Sequence, residues 1–347
     1  GLADAQNYAR EEIRIPMPAA GKPGLESLFV KPDLPGRLPL VLLSHGTPRK
    51  SEDRATMTPL TYLPQAMEFA RRGFAVAIVM RRGYGSSGGP YAESSGACNN
   101  ADYLASASNS VADLRAALMH LVKRADVDPA KILAVGQSAG GFSTVALAAQ
   151  APAGLVAAIS FAGGRGSPKD NEVCSPDRLV GAFAAFGQRS RVPMLWVYTD
   201  NDHFFGPALV QRFHDAFTKG GGKVEFVKAP AFGRDGHALF ADGISLWLPY
   251  VDEFLKKQKL VLRDAPLPLP PPPDIAPPAQ LSAAGRKSFE EFLMKPPHRA
   301  FAVSPKGAYG WQSGRRTIEE ASRTAIERCT KFGNDCAVVV VDDKPAP

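Results

Sequence analysis

The chain has 347 residues, of which 45% are hydrophobic and 22% charged, with a formal net charge of +7. Such a composition can bury a sizeable core in one large domain or two smaller ones, and it excludes a wholly disordered chain. Lys and Arg are scattered in pairs such as Arg71-Arg72 and Arg81-Arg82, with no long basic run, which argues against a nucleic-acid partner. No apolar run approaches the roughly 20 residues that span a bilayer, so no transmembrane segment is expected.

In chain order, "EEIRIPMP" and "LESLFVKP" alternate weakly and read as an antiparallel edge hairpin. From "LPLVLLSHG" onward, apolar runs alternate with helical patterns: "LPQAMEFARRG", "FAVAIVMRRGYG", "SVADLRAALMHLVKR", "KILAVGQS", "LVAAISFAGG", "VPMLWVYTD", "PALVQRFHDAFTKGG", "KVEFVKAP" and "SLWLPYVDEFLKK". In the longest helical pattern Val111, Leu114, Leu118, Leu121 and Val122 share a face. Strands that are apolar throughout and alternate with helices predict an α/β fold, a mostly parallel sheet covered on both faces. The segment from Gly163 to Arg191 separates two strands by more than a short connection needs and reads as a lid or binding loop.

The composition then changes to "APLPLPPPPDIAPPAQL", a polyproline tract that cannot enter a helix or sheet interior and reads as a stiff extended spacer. These shifts predict a first domain over 1–260, a Pro-rich linker over 261–287 and a small α+β domain over 288–347. In the last, Thr317 is the expected N-cap with Glu320 as its capping-box partner, and Ile318, Ala321, Ala325, Cys329 and Phe332 fall on one helical face. The run "CAVVVV" reads as a buried strand. There is no internal repeat.

The residues at the strand ends carry the chemistry. "ILAVGQSAGG" runs a buried strand into Gly136-Gln137-Ser138-Ala139-Gly140 and then into a helix, the context in which a serine hydroxyl is exposed on a sharp turn as a nucleophile. A serine needs a base and an orienting carboxylate, expected later in the chain in the order acid, then histidine. "YTDNDHFFG" supplies Asp200 and Asp202 at a strand end, and "GRDGHALF" supplies His237 after the next strand. His120 and His214 sit in helical patterns, His298 lies beyond the linker, and His203 precedes the strand whose following loop should carry the base. No metal-ligand cluster and no dinucleotide fingerprint occurs, so neither metal nor cofactor is expected.

On "LLSHGTP", "RRGYGSSGGP", "GQSAGG", "YTDNDHFFGP" and "GRDGH", residues from about 11 to 257 resemble an α/β-hydrolase of the dienelactone hydrolase and prolyl-oligopeptidase-related branch. The resemblance implies a catalytic set of Ser138, Asp202 and His237, with Asp200 as the fallback acid. It also implies an oxyanion hole from the backbone amides of Ala139 and Thr47, and a structural role for His45. Tyr84 in "RRGYGSSGG" could face the cleft, but a tight Gly-rich turn explains it better.

The expected activity is a serine hydrolase working through an acyl-enzyme on a small-molecule ester, with a peptidase as one alternative. The other alternative is a non-catalytic binding or cell-envelope protein. A carboxylic ester is favoured over a peptide because no large gating domain precedes the catalytic part. The C-terminal unit resembles a small uncharacterised domain of exported bacterial proteins, which implies a Cys329–Cys336 disulfide and no catalysis. Tyr309 and Trp311 in it are candidates for a carbohydrate or cell-wall binding face, with core packing as the other use of the two rings, and the unit as a whole is a candidate for binding a cell-envelope or protein partner.

Four cysteines lack zinc-ligand spacing and split evenly between the two expected domains. Two disulfides and an extracytoplasmic location, periplasmic or secreted, are the corresponding expectation, with three pairings open. Cys98 and Cys174 fall in loops expected above the same sheet edge, where a bond between them would brace the site. The first residue is Gly1 rather than Met, in keeping with removal of a signal peptide.

Overall fold

Each uninterrupted apolar run becomes a strand. The computed structural model describes residues 7–347. In chain order the elements are β1 (Tyr8–Ile15), β2 (Leu25–Pro32), β3 (Leu38–Ser44), α1 (Leu63–Arg71), β4 (Ala75–Val79), α2 (Tyr103–Leu121), β5 (Val127–Gln137), α3 (Ala139–Ala149), β6 (Leu155–Phe161) and α4 (Pro176–Arg189). There follow β7 (Met194–Thr199), α5 (Pro207–Lys219), β8 (Val224–Ala229), α6 (Leu239–Asp242), α7 (Ile244–Lys257), α8 (Ala283–Leu293), β9 (Ala300–Val303), β10 (Tyr309–Gln312), α9 (Ile318–Thr330), β11 (Ala337–Val341) and β12 (Lys344–Pro345). Two compact units result, one of residues 7–55 and 65–267, the other of 56–64 and 268–347.

The larger unit holds a sheet in the order β1-β2-β4-β3-β5-β6-β7-β8. β1 pairs with β2, and β2 with β4, in antiparallel fashion, while every pair from β4 through β3 to β8 is parallel. β3, β4 and β7 are buried at every residue, as two-sided coverage requires. On one face Val111, Leu114 and Leu118 of α2, Phe142 of α3, Phe183 of α4 and Phe213 of α5 share a core with Trp196 of β7. Phe183 lies edge-on to Phe142 and stacked on Phe213. Phe69 of α1 and Trp247 of α7 stack with centroids 6.4 Å apart, and Trp247 also meets Phe161 at the end of β6.

The long segment from Gly163 to Arg191 is only half loop. Ser175 and Pro176 start α4, whose Leu179, Ala182, Phe183 and Phe186 are buried, so apolar spacing turns the second half into a packed helix. Among the described residues, no helix is long and apolar enough to cross a membrane.

In the smaller unit the sheet order is β10-β9-β11-β12, antiparallel throughout. Helix α8 begins at Ala283, inside the stretch read as linker, because Ser282 caps it by accepting from the Gly285 amide at 3.2 Å. The proline tract is less of a free spacer than its composition suggests: Ile275 packs against the cluster of Leu281, Phe289, Phe292 and Phe301. Thr317 caps α9 by accepting from the Glu320 amide at 3.0 Å, while the Glu320 carboxylate lies 3.8 Å from Arg315.

Ala321, Ala325 and Cys329 are fully buried, but Phe332 is 79% exposed, since α9 ends at Thr330 before that position completes the stripe. β11 is only partly buried, with Val340 its one buried residue, because its outer neighbour β12 pairs with it at just two positions; β9, inside the sheet, is buried throughout, with Phe301 and Val303 in the cluster of α8 and Ala300 and Ala302 in that of α9. Tyr309 stacks on Phe301, and Trp311 packs on the same cluster with its Nε1 donating to Ser288 at 2.8 Å. Both rings are therefore held by the unit's own core.

Disulfides join Cys98 to Cys174 and Cys329 to Cys336, separated by 76 and 7 residues in sequence. Loop-closure entropy scales with the logarithm of loop length, so replacing Cys98 and Cys174 by alanine should cost about 4 kcal/mol and replacing Cys329 and Cys336 about 2 kcal/mol. Urea unfolding of the two double variants, followed separately, checks that order.

Candidate active site

The ends of β3, β5, β6, β7 and β8 meet at one edge of the larger sheet, where Ser138 joins β5 to α3. Its backbone is left-handed, with φ 56° and ψ −121°. A non-glycine residue in that region is strained and is held only where its surroundings determine it. Here its amide donates to the Phe161 carbonyl at 2.9 Å, and its carbonyl accepts from Phe142 and Gly164.

The flanking glycines are required by close approach. A Cβ on Gly136 would meet the Gly140 carbonyl oxygen at 2.1 Å, and one on Gly140 would meet the Ser44 carbonyl oxygen at the same distance. The glycine pattern thus lets α3 start directly against β3 and β5.

Ser138 Oγ lies 3.0 Å from His237 Nε2, and His237 Nδ1 lies 3.0 Å from Asp202 Oδ2. The Asp202 side chain is fully buried, and its other oxygen accepts from the amides of Phe204 and Phe205 at 2.7 and 2.9 Å. Those bonds fix the carboxylate in the tight turn after β7. The aspartate two residues earlier, Asp200, is exposed and donates its amide to Ala229.

Asp235 accepts from the amides of both His203 and His237 at 2.9 Å, tying the loop after β7 to the loop after β8. Phe204 stacks on the His237 imidazole with centroids 3.7 Å apart and planes 13° apart, and the Arg49 guanidinium lies 3.7 Å over the ring's other face. Asp235, Phe204 and Arg49 escaped the sequence reading.

Ser138 opens into a cleft of about 230 Å³, whose lining includes Thr47, Arg49, Tyr91, Arg165 and Phe204. Ala139 is the first residue of α3, so its N–H belongs to the turn that no helical carbonyl can satisfy. Beneath Thr47 lies a buried charge network. Arg81 donates to both oxygens of Glu93 at 2.7 and 3.0 Å, and Arg165 and Tyr84 also donate to Glu93.

Burial alone would raise the Glu93 pKa, but Arg165 and Arg81 hold it well below the usual carboxylate range. Burial and the Glu93 charge raise the Tyr84 pKa far above that of a free phenol. Tyr84 is thus buried, not exposed to the cleft; its oxygen lies 2.7 Å from Thr47 Oγ1 and bears on the site through that contact.

The other histidines go elsewhere. His120 and His214 lie on helices, the latter stacked on Phe226, and His298 Nδ1 bonds the Arg315 carbonyl at 2.8 Å. His203, with Asp170 and Asp235, forms the one grouping among the described residues whose ligand-type atoms all lie within 4.8 Å. That donor set is already engaged: Asp170 binds Arg49 at 2.7 Å, and Asp235 holds two amides.

Residues 62–164 match the model of the prolyl oligopeptidase family, a stretch that includes Ser138 and ends before Asp202 and His237. No curated protein matches the sequence. Among solved structures, a protein from Klebsiella pneumoniae subsp. pneumoniae described as a dienelactone hydrolase aligns with TM-score 0.54 and 19% identity, over 73% of this chain and 99% of that one. The fold is that of an α/β-hydrolase.

An esterase from Thermogutta terrifontis with butyrate bound aligns at TM-score 0.52 and 19% identity, over 76% of this chain and 98% of its own. A Pyrococcus horikoshii acylaminoacyl peptidase aligns at 0.51 and 14%, over 72% of this chain but 41% of its own. In this α/β-hydrolase fold the loops after β3, β4 and β6 meet beside Ser138, where Thr47, Tyr91 and Arg165 line the cleft, and Glu93 beneath them accepts from Tyr84 and Arg165.

His45 has the structural setting that the resemblance implies. It is fully buried, its Nδ1 donates to the Gly46 carbonyl at 2.7 Å, and its Nε2 accepts from the Arg81 amide at 3.0 Å. Burial, reinforced by Arg81, lowers its pKa from 6.5 to about 3. The imidazole stays neutral in the folded protein to about pH 3, whereas the unfolded chain takes a proton near 6.5, so acid favours unfolding across that window. The urea midpoint should fall as pH drops from 6.5, before Glu93 protonation contributes below 4.5. In His45→Gln, the slope above pH 4.5 should flatten.

Proposed function

We propose that the protein is a serine hydrolase that cleaves carboxylic esters through an acyl-enzyme. The observation that carries this reading is the hydrogen-bonded chain from Ser138 through His237 to Asp202, with both links at 3.0 Å, opening into a cleft. The family match and the esterase and peptidase folds among its neighbours support the coarser statement that it is a hydrolase.

Ser138 Oγ attacks the substrate carbonyl carbon while its proton passes to His237 Nε2. Asp202 accepts from His237 Nδ1, which keeps Nε2 free to act as base and stabilises the imidazolium that forms. The amides of Ala139 and Thr47 receive the developing oxyanion. His237 then protonates the leaving alcohol oxygen as the acyl-enzyme forms. A water molecule, deprotonated by the same histidine, attacks the acyl carbon, and the proton returns to Ser138 as the acid departs.

A cleft of about 230 Å³ suits a small ester better than a folded or extended peptide. Peptide cleavage is the second reading, favoured by the prolyl oligopeptidase match. The two disulfides support a working place in an oxidising compartment, periplasmic or secreted.

A fluorophosphonate probe should add once to the protein and not to Ser138→Ala, read by intact mass. With 4-nitrophenyl butyrate, His237→Ala and Asp202→Ala should each lower kcat by roughly 10³-fold or more with KM little changed. A folded wild-type protein that neither labels nor turns over esters would instead favour the non-catalytic binding reading, and efficient cleavage of an aminoacyl 4-nitroanilide over the ester would favour the peptidase.

A further inference from the structure

The two hydrogen bonds of His237 leave one motion of its ring open. Nε2 faces Ser138 and Nδ1 faces Asp202, and both bonds run along the plane of the imidazole. They oppose rotation within that plane, but hydrogen bonds tolerate a broad range of angles, so they resist a tilt out of it only weakly. A general base must keep its place, since a misplacement on the order of 1 Å can cost about 100-fold in rate.

Phe204 blocks that tilt on one side. Its ring lies parallel to the imidazole, with centroids 3.7 Å apart and planes 13° apart, so His237 cannot lean toward it without a clash. Phe205 stands edge-on to the same imidazole at 5.8 Å. The Phe204 ring is only half-buried and needs a support of its own. Arg49 supplies it, with its guanidinium 3.7 Å from the ring centre on the face away from His237, where the ring quadrupole attracts a cation.

Arg49 is anchored in turn. It donates to Asp170 Oδ1 at 2.7 Å, to Ser167 Oγ at 3.0 Å and to the Ser167 carbonyl at 3.3 Å. The same rim segment is fastened to the turn after β7, because the Asn171 amide donates to the His203 carbonyl at 2.7 Å. A run of packed groups therefore leads from the rim through Arg49 and Phe204 to the base. The Phe204 amide, which donates to Asp202, survives any change of its side chain, so the part played by the ring can be read separately.

We propose that Phe204 is a positioning residue of the reaction, whose ring keeps the His237 imidazole in line with Ser138 and Asp202, and that Arg49 acts on the reaction through that ring. This inference rests on the serine-hydrolase reading and adds two residues to its machinery.

Kinetics and one resonance test it. With the neutral ester 4-nitrophenyl butyrate, Phe204→Leu should lower kcat about tenfold with KM little changed, and Phe204→Tyr, which keeps the aromatic face, should recover most of that loss. Arg49→Met should lower kcat about threefold to fivefold in the wild-type background and hardly at all in the Phe204→Leu background, the non-additivity of two groups that act through one contact. In protein isotopically labelled at histidine Cε1, the His237 Cε1 proton, assigned by its loss in His237→Gln, should be shifted upfield by the ring current of Phe204. It should return downfield in Phe204→Leu and partway in Arg49→Met.

A Phe204→Leu variant with raised KM and unchanged kcat would make the ring a mere wall of the cleft and overturn the proposal. So would an Arg49→Met loss of equal size in both backgrounds. Either result leaves the hydrolase reading intact, because it is seen only with turnover. If no ester is turned over, or Phe204→Leu does not fold, the resonance decides. An upfield position that Arg49→Met moves supports the proposal, and an ordinary position in the wild type, or one that Arg49→Met leaves in place, overturns it.

Discussion

The carboxylate of Glu93 is the charge around which the active-site rim is organised. It is fully buried and accepts from Arg81, which follows β4, from Arg165, which follows β6, and from Tyr84, whose oxygen also meets Thr47 after β3. Removing one member of such a network leaves an uncompensated charge in a low-dielectric interior, which costs several kcal/mol. The network explains how loops from three strands keep one arrangement beside a strained serine. Arg81 also donates to the His45 carbonyl, so the residue preceding Gly46 and Thr47 is held by the same group.

Much of the fold was legible because its signals are local. The alternation of apolar runs with helical stripes predicted the parallel sheet, and the weaker alternation before "LPLVLLSHG" predicted the antiparallel edge. The segment that joins β5 to α3 carries its own steric logic in Gly136 and Gly140, so Ser138 could be read from ten residues. Asp202 and His237 followed from chain order and from the resemblance, and the structure brings them to 3.0 Å contacts with each other and with Ser138.

What was missed depends on partners distant in sequence. Glu93 sits in "YAESSGAC", where a lone acid among serines reads as solvated, and its partner Arg165 is 72 residues away. The one available signal was "RR" directly after the apolar strand β4, a charged pair with no polar spacer to carry it into water. Likewise "HFFGP" showed that Asp202 precedes an apolar patch, but not that Phe204 would lie between His237 and Arg49. Phe332 failed in the opposite way: it continues the apolar stripe of α9 in sequence, but the helix stops before it and the ring is left exposed.

The Cys98–Cys174 bond encloses α2, β5, Ser138, α3 and β6 in one covalent loop, along with the exposed stretch Lys169–Glu172. A protease that cuts at Lys169 therefore creates two chains that remain one molecule, with the new ends within a few residues of the bond. The nucleophile then belongs to the first chain, and Asp202 and His237 to the second, yet all three are still held by the same sheet. Such a nicked molecule migrates as intact protein until its disulfides are reduced, so a break in this exposed stretch releases neither half of the site.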